Sequence, residues 1–291
     1  MNVYLSGANG LLGSSFCQNA YKYGHEVCAL KQEEYNYNAS LSDLKSRLSN
    51  YTDAVFIHCA ANTNMDECES FPDICHKDNV LNTTRLAHTC RLLNIPFIFI
   101  SSTGVYGEHG NSPYYENDLT MPTNVHHMSK LSGEKEALAN NDNALILRTG
   151  WLFGGSISAN RNFVAKRIQE ANNLKDKVMY SDPFQKGNPT YVDDLVVMAF
   201  ELIREKAKGI FNAVNSGTAT RFEYVKEIMR IYDETITVLP TEKKFDRKVK
   251  VSHNEAAVND KIQMFTTSPI PHWKVSLFNY INDNREAWTE I

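Results

Sequence analysis

Two hydrophobic periods alternate along the first 150 residues. Compact apolar runs lie at 2–6, 25–30, 54–59, 97–101 and 144–148. They are short and almost uninterrupted, as strands covered on both faces are. Between them, apolar positions recur at helical spacing over 11–22, 41–48, 74–93 and 128–139, the third stretch stopping before Pro96. Strands separated by helices predict an α/β fold with a doubly wound parallel sheet, helices on both faces. Beyond Trp151 the rhythm loosens into helices at 162–173 and 195–206, a strand at 209–214, and helical pieces towards the C-terminus. This predicts a Rossmann domain over 1–155, rejoined by 190–215, and a smaller interleaved substrate lobe from 156–189 and 216–291. The mixed-charge stretch 242–250 reads as a solvated loop or helix face.

Composition narrows the class. The chain has 291 residues, 42% hydrophobic and 22% charged, with a net charge of −4. Disorder, collagen and a disulfide miniprotein are excluded. Without a basic excess, neither nucleic acid nor an anionic membrane is an expected partner. No apolar run approaches the ~20 residues of a membrane helix, and Met1 leads straight into a strand pattern rather than a signal peptide. Cys17, Cys28, Cys59, Cys68, Cys75 and Cys90 form no CxxC pair. They read as reduced thiols of a cytoplasmic protein, and no metal site is expected.

Gly7-Ala8-Asn9-Gly10-Leu11-Leu12-Gly13 stands between the first strand and the first helix. Gly7 permits a tight turn, Gly10 a close approach of backbone to pyrophosphate, and Gly13 the packing of helix on strand. The helix N-terminus adds amide donors and a partial positive charge. The expected ligand is a dinucleotide. An acid at the end of the second strand would favour NAD; here Lys31 follows Leu30, which tilts the expectation towards NADP.

Further motifs follow in order: His58-Cys59-Ala60-Ala61-Asn62-Thr63 after the third strand, Asn79 in the next helix, and Ile100-Ser101-Ser102-Thr103-Gly104-Val105-Tyr106-Gly107 after the fourth. With the GxxGxxG turn, they resemble the extended short-chain dehydrogenase/reductase superfamily. The segments 147–154, 161–164, 187–195 and 209–217 are similar to those of the dTDP-4-dehydrorhamnose reductases. That resemblance spans nearly the whole chain. It implies NAD(P)-dependent reduction of a nucleotide-linked 4-keto-6-deoxy sugar, in the making of cell-surface polysaccharide sugars. NADP(H) or NAD(H) would contact Gly7, Asn9, Gly10, Leu11, Leu12, Gly13, Ala60, Ala61, Asn62 and Lys130. Ser102, with Thr103 beside it, would polarise the ketone. Trp151 would touch the sugar, or else fill core between the lobes. Asn162 and Arg161 would meet the nucleotide phosphates, or else start a helix. A homodimer is compatible with the resemblance.

One position departs from the family. Its catalytic pair is Tyr-x-x-x-Lys, in which the phenol protonates the ketone oxygen and the lysine lowers the phenol pKa and grips the cofactor ribose. Here Lys130 is present, but the residue four before it is His126. Three alternatives stay open. His126 is itself the acid; the chain is a catalytically degenerate relative acting as a binding or regulatory subunit; or another acid, such as Tyr106, a water or a partner's group, serves. The adjacent His127 reads as a solvent-facing residue.

Overall fold

The computed structural model describes residues 1–159, 161–242 and 248–290. The centre of the charged stretch at 242–250 thus lies outside the described residues. Six parallel strands, β1 (Asn2–Ser6), β2 (Glu26–Leu30), β3 (Ala54–His58), β4 (Phe97–Ser102), β5 (Ala144–Thr149) and β6 (Gly209–Ala213), form one sheet in the order 6-5-4-3-1-2. The order reverses at β1, which is where ligands enter such sheets.

Alternation within each strand builds both faces. Val3, Leu5, Ile98, Ile100, Leu145 and Leu147 pack under helices Leu11–Asn19 and Val192–Arg204. Tyr4, Phe97, Phe99 and Ile146 point the other way, into a core shared with helices Leu41–Leu48, Asn82–Leu92 and Val125–Asn140. A separate core gathers Trp151, Phe153, Ile168, Tyr224, Ile228, Trp273, Leu277, Tyr280 and Trp288 around helices Phe163–Asn172, Arg221–Tyr232 and Trp273–Asp283. No helix among the described residues is long and apolar enough to cross a membrane.

Two helices differ instructively from their sequence pattern. The stretch expected as one helix over 74–93 begins at Pro72 and widens into a π turn at Lys77–Leu81 before resuming at Asn82. The helix expected from 128 begins three residues earlier, at Val125. The Oδ1 of Asn124 accepts from the His127 N–H and caps it. That helix is locked to the sheet by a buried ion pair. Glu134 takes two hydrogen bonds from Arg148 of β5, at 2.9 and 2.7 Å, and a third from Ser101 of β4 at 2.5 Å. Both charged side chains are about 3% exposed or less.

Breaking one side of a buried pair leaves the other charge unsolvated. Arg148→Ala is therefore expected to lower stability by about 3–5 kcal/mol, read from urea unfolding. A loss below 1 kcal/mol would show that Glu134 finds water or another partner.

Candidate active site

At the dinucleotide end, Gly7 sits at φ +76°, and a Cβ there would lie 2.6 Å from the Ala60 nitrogen. A Cβ on Gly13 would lie 2.1 Å from the Gly7 oxygen. Both glycines let the turn close on β3 and on the helix. Gly10 is different: its Cβ would meet only the Gly7 oxygen, at 3.3 Å, while the residue lines a groove of about 650 Å³. The helix at Leu11 starts with no side-chain cap and no acid in its first turn. Its first amides are left for an external acceptor. Leu11, Leu12, Ala60, Ala61, Asn62, His126 and Lys130 line the same groove. Asn9 and Lys31 line its extension past the end of β2. An uncapped, glycine-walled helix start over an elongated groove fits a pyrophosphate.

Asn62 is held by Asn79, which the π turn presents. Its Oδ1 accepts from the Asn62 N–H at 2.7 Å, and its Nδ2 donates to the Asn62 carbonyl at 2.9 Å. The same carbonyl accepts from His126 Nδ1 at 3.0 Å. Burial, helped by His127 and Lys130, pushes the His126 pKa down to about 3. At neutral pH this imidazole carries its one proton on Nδ1 and presents a bare Nε2 to the groove. Such a ring accepts hydrogen bonds; it is not poised to give a proton to a ketone.

Lys130 is buried, its ammonium 4.0 Å from the centre of the Phe99 ring and without a hydrogen-bond partner among the described residues. Burial pushes its pKa down to about 8, against the pull of Glu134 and the nearby thiols of Cys59 and Cys75. A cation lodged in a groove wall with its donors unspent suits ribose hydroxyls.

The groove continues into a wider cleft of about 880 Å³; Thr63, His126, Gly150, Leu152 and Arg161 line both. Ser102, His127, Trp151 and Glu255 line the cleft, as do the cations Arg161, Lys166, Arg221 and Lys248. Trp151 donates from Nε1 to Glu255 at 2.8 Å, and the Arg221 guanidinium lies 3.5 Å from the centre of its ring. Ser102, His126, Lys130 and Trp151 thus share one continuous depression.

Other candidates lie elsewhere. Thr103 is buried and lines neither the groove nor the cleft. Asn162 is fully buried: it caps helix Phe163–Asn172 and donates to Gly154, Ser156 and Tyr280 oxygens, so its amide is spent on the fold. Its neighbour Arg161 lines the cleft instead. Tyr106 is fully buried, donates to Asn212 at 2.7 Å and stacks on Tyr114; burial pushes its pKa up to about 12. It is no stand-in acid. His127, expected in solvent, is buried.

Sequence reasoning passed over Glu255 and Lys248, which arrive from irregular segments with no periodic signal, and Lys166 and Arg221, which sit in the first turns of helices Phe163–Asn172 and Arg221–Tyr232. It also passed over Asn124, although an Asn just ahead of a helical pattern is a capping signal.

The profile of the RmlD substrate binding domain family matches residues 1–286. The chain belongs to this family. It is 30% identical to a dTDP-4-dehydrorhamnose reductase of Mycolicibacterium smegmatis over 77% of this chain and 67% of that one. Among solved structures, a dTDP-4-dehydrorhamnose reductase of Clostridium acetobutylicum superposes with a TM-score of 0.87 at 26% identity, covering 98% of this chain and 100% of that one. A dTDP-4-dehydrorhamnose reductase of Bacillus anthracis in complex with NADP gives 0.86 at 24% identity, covering 97% and 99%.

The glycine geometry separates binding from folding. Gly10→Val is expected to leave the thermal midpoint within a few degrees and to abolish NADPH binding in calorimetry. Gly13→Ala is expected to destabilise the fold itself. Unchanged NADPH affinity in Gly10→Val would move the pyrophosphate elsewhere.

Proposed function

We propose that the protein uses NADPH or NADH to reduce a nucleotide-linked 4-keto-6-deoxy sugar, as its dTDP-4-dehydrorhamnose reductase relatives are named for doing. The observation that carries this is the continuity of the two depressions: a pyrophosphate-binding groove passes Lys130 and opens into a cleft where four cations face two carboxylates, Asp66 and Glu255. A net positive wall beside a polar, aromatic-lined pocket suits a sugar on a nucleoside diphosphate.

The bound nicotinamide supplies the hydride. The chain's residues do the rest. Lys130 holds the cofactor ribose with a buried ammonium. Ser102, whose Oγ accepts from the Gly104 N–H at 3.1 Å, keeps its own O–H for the ketone oxygen. The cations of the cleft hold the diphosphate. In this scheme residues 1–155 and 190–215 carry the dinucleotide and one wall of the sugar pocket, while 156–189 and 216–291 supply the other wall, with all four of its cations. Lys31, beside the ribose end of the groove, favours NADPH over NADH. The six free cysteines are compatible with a reducing cytoplasm.

A second reading has one observation behind it. With its proton tied to the Asn62 carbonyl, His126 cannot replace the family tyrosine as an acid, so the chain would bind both ligands and leave them unchanged. Turnover decides. NADPH consumption with dTDP-4-dehydrorhamnose is the expected result. NADPH binding without consumption, converted to turnover by His126→Tyr, would establish the silent relative.

Lys130 sets a pH limit. Its pKa is depressed, so the cation is present below about pH 8 and lost above it. NADPH affinity is expected to stay level from pH 6 to 7 and to weaken as pH rises past about 8, as followed by fluorescence titration. The weakening should vanish in Lys130→Met. A loss complete by pH 7 would contradict the assignment.

A further inference from the structure

We propose that His127, rather than His126, donates a hydrogen bond to the substrate carbonyl oxygen as it gains negative charge, and that Asn124 positions His127 in the tautomer able to do so. The proposal rests on the reductase function given above.

The Asn124 amide is oriented from two sides. Its Oδ1 accepts from the His127 backbone N–H at 2.9 Å, and its Nδ2 donates to the Lys250 carbonyl at 3.0 Å. Nδ2 is therefore the atom 3.1 Å from His127 Nδ1, and that ring nitrogen accepts. The proton of the neutral imidazole then sits on Nε2, which has no protein partner among the described residues. The side chain lines the sugar cleft together with Ser102. Burial keeps the ring neutral, with Glu255 opposing that effect and Lys130 adding to it.

Gly104 explains how the ring fits. A Cβ there would lie 2.2 Å from both Cε1 and Nε2 of His127, so the imidazole rests against the turn that follows Ser102. Ser102 is anchored to that turn through its bond from the Gly104 N–H. One turn thus brings together two donors, a serine hydroxyl and an imidazole N–H. His126, its ring centre 5.2 Å from that of His127, shows the opposite polarity, with Nδ1–H spent and Nε2 bare. Glu255 adds a second acceptor: its Oε1 is buried and unpartnered on the wall of the same cleft. A ketone oxygen flanked by hydroxyls would find donors and acceptors matched to it.

The step balances with water as the proton source. As the carbonyl carbon accepts hydride, the π electrons move to oxygen. His127 Nε2–H and Ser102 O–H hold the resulting alkoxide. It then takes a proton from a water molecule in the open cleft, and hydroxide leaves to the medium. His127 ends in the tautomer in which it began.

The test uses the full chain with NADPH and dTDP-4-dehydrorhamnose. His127→Phe is expected to lower kcat by about 10²–10³-fold, the usual cost of one oxyanion donor, with the NADPH Kd within about twofold of wild type. His127→Gln, which restores an N–H donor, is expected to recover at least tenfold of that loss. Equal losses in both variants, or loss of NADPH binding along with kcat, would make His127 a packing residue and overturn the proposal. Nitrogen-15 spectra of the imidazoles provide a reading independent of turnover. A proton on His127 Nε2, with a shift of that signal on adding the sugar nucleotide, supports the donor; a proton on Nδ1 overturns it. A wild-type protein that does not turn over but shows the Nε2 proton and the shift would overturn the reductase function while supporting the donor.

Discussion

The ion pair between Glu134 and Arg148 is the constraint on which the active site depends. It joins the helix carrying both histidines and Lys130 to the two strands that deliver Ser102 and Trp151. Two desolvated charges gain little net stability from meeting, but they tolerate no other arrangement. The carboxylate is chelated by the guanidinium and also receives the Ser101 hydroxyl, so helix, β4 and β5 share one register. Lys130 lies one helical turn before Glu134. Its buried ammonium can sit over Phe99 because the pair already fixes how that turn faces the sheet.

What could be read from sequence follows from how local each signal is. The β1 turn has all its determinants within seven residues, so the close approaches that Gly7 and Gly13 permit were legible. The sheet strands were legible because burial on both faces leaves near-continuous apolar runs, from Val3 to Leu147. The part of the cleft wall beyond Ser102, Trp151 and Arg161 was not. Glu255 and Arg221 come from distant segments, and nothing in their own neighbourhoods marks them. Asn162 and Tyr106 carried open alternatives in the sequence, and the structure decides for the structural one in each. Each sits at a motif position that looks chemical, but the Asn162 amide closes a helix start and the Tyr106 phenol closes a buried bond to Asn212. His127 was misjudged because helical periodicity cannot show that Gly104, on another element, leaves a space the size of a ring.

An imidazole at the tyrosine position changes more than proton supply. A phenol has one polar atom and points it outward. An imidazole has two, and the inner one must be satisfied. Here the Asn62 carbonyl meets that need, and in doing so it fixes which nitrogen faces the ligand. The carbonyl is itself steered by Asn79. The electronic character of the site is thus decided by backbone geometry on the dinucleotide side of the groove.

The π turn that presents Asn79 has an evolutionary reading. Such a turn holds one residue more than a regular helix needs, and each residue of an α-helix turns the chain by about 100°. Deleting a single residue within Lys77–Leu81 would let the helix run on smoothly, with no loss of apolar pattern on the Asn82–Leu92 side. It would also swing Pro72–His76 around the axis and carry Asn79 away from Asn62. In a lineage of such proteins, the length of this helix should therefore be guarded more strictly than the identity of most residues in it.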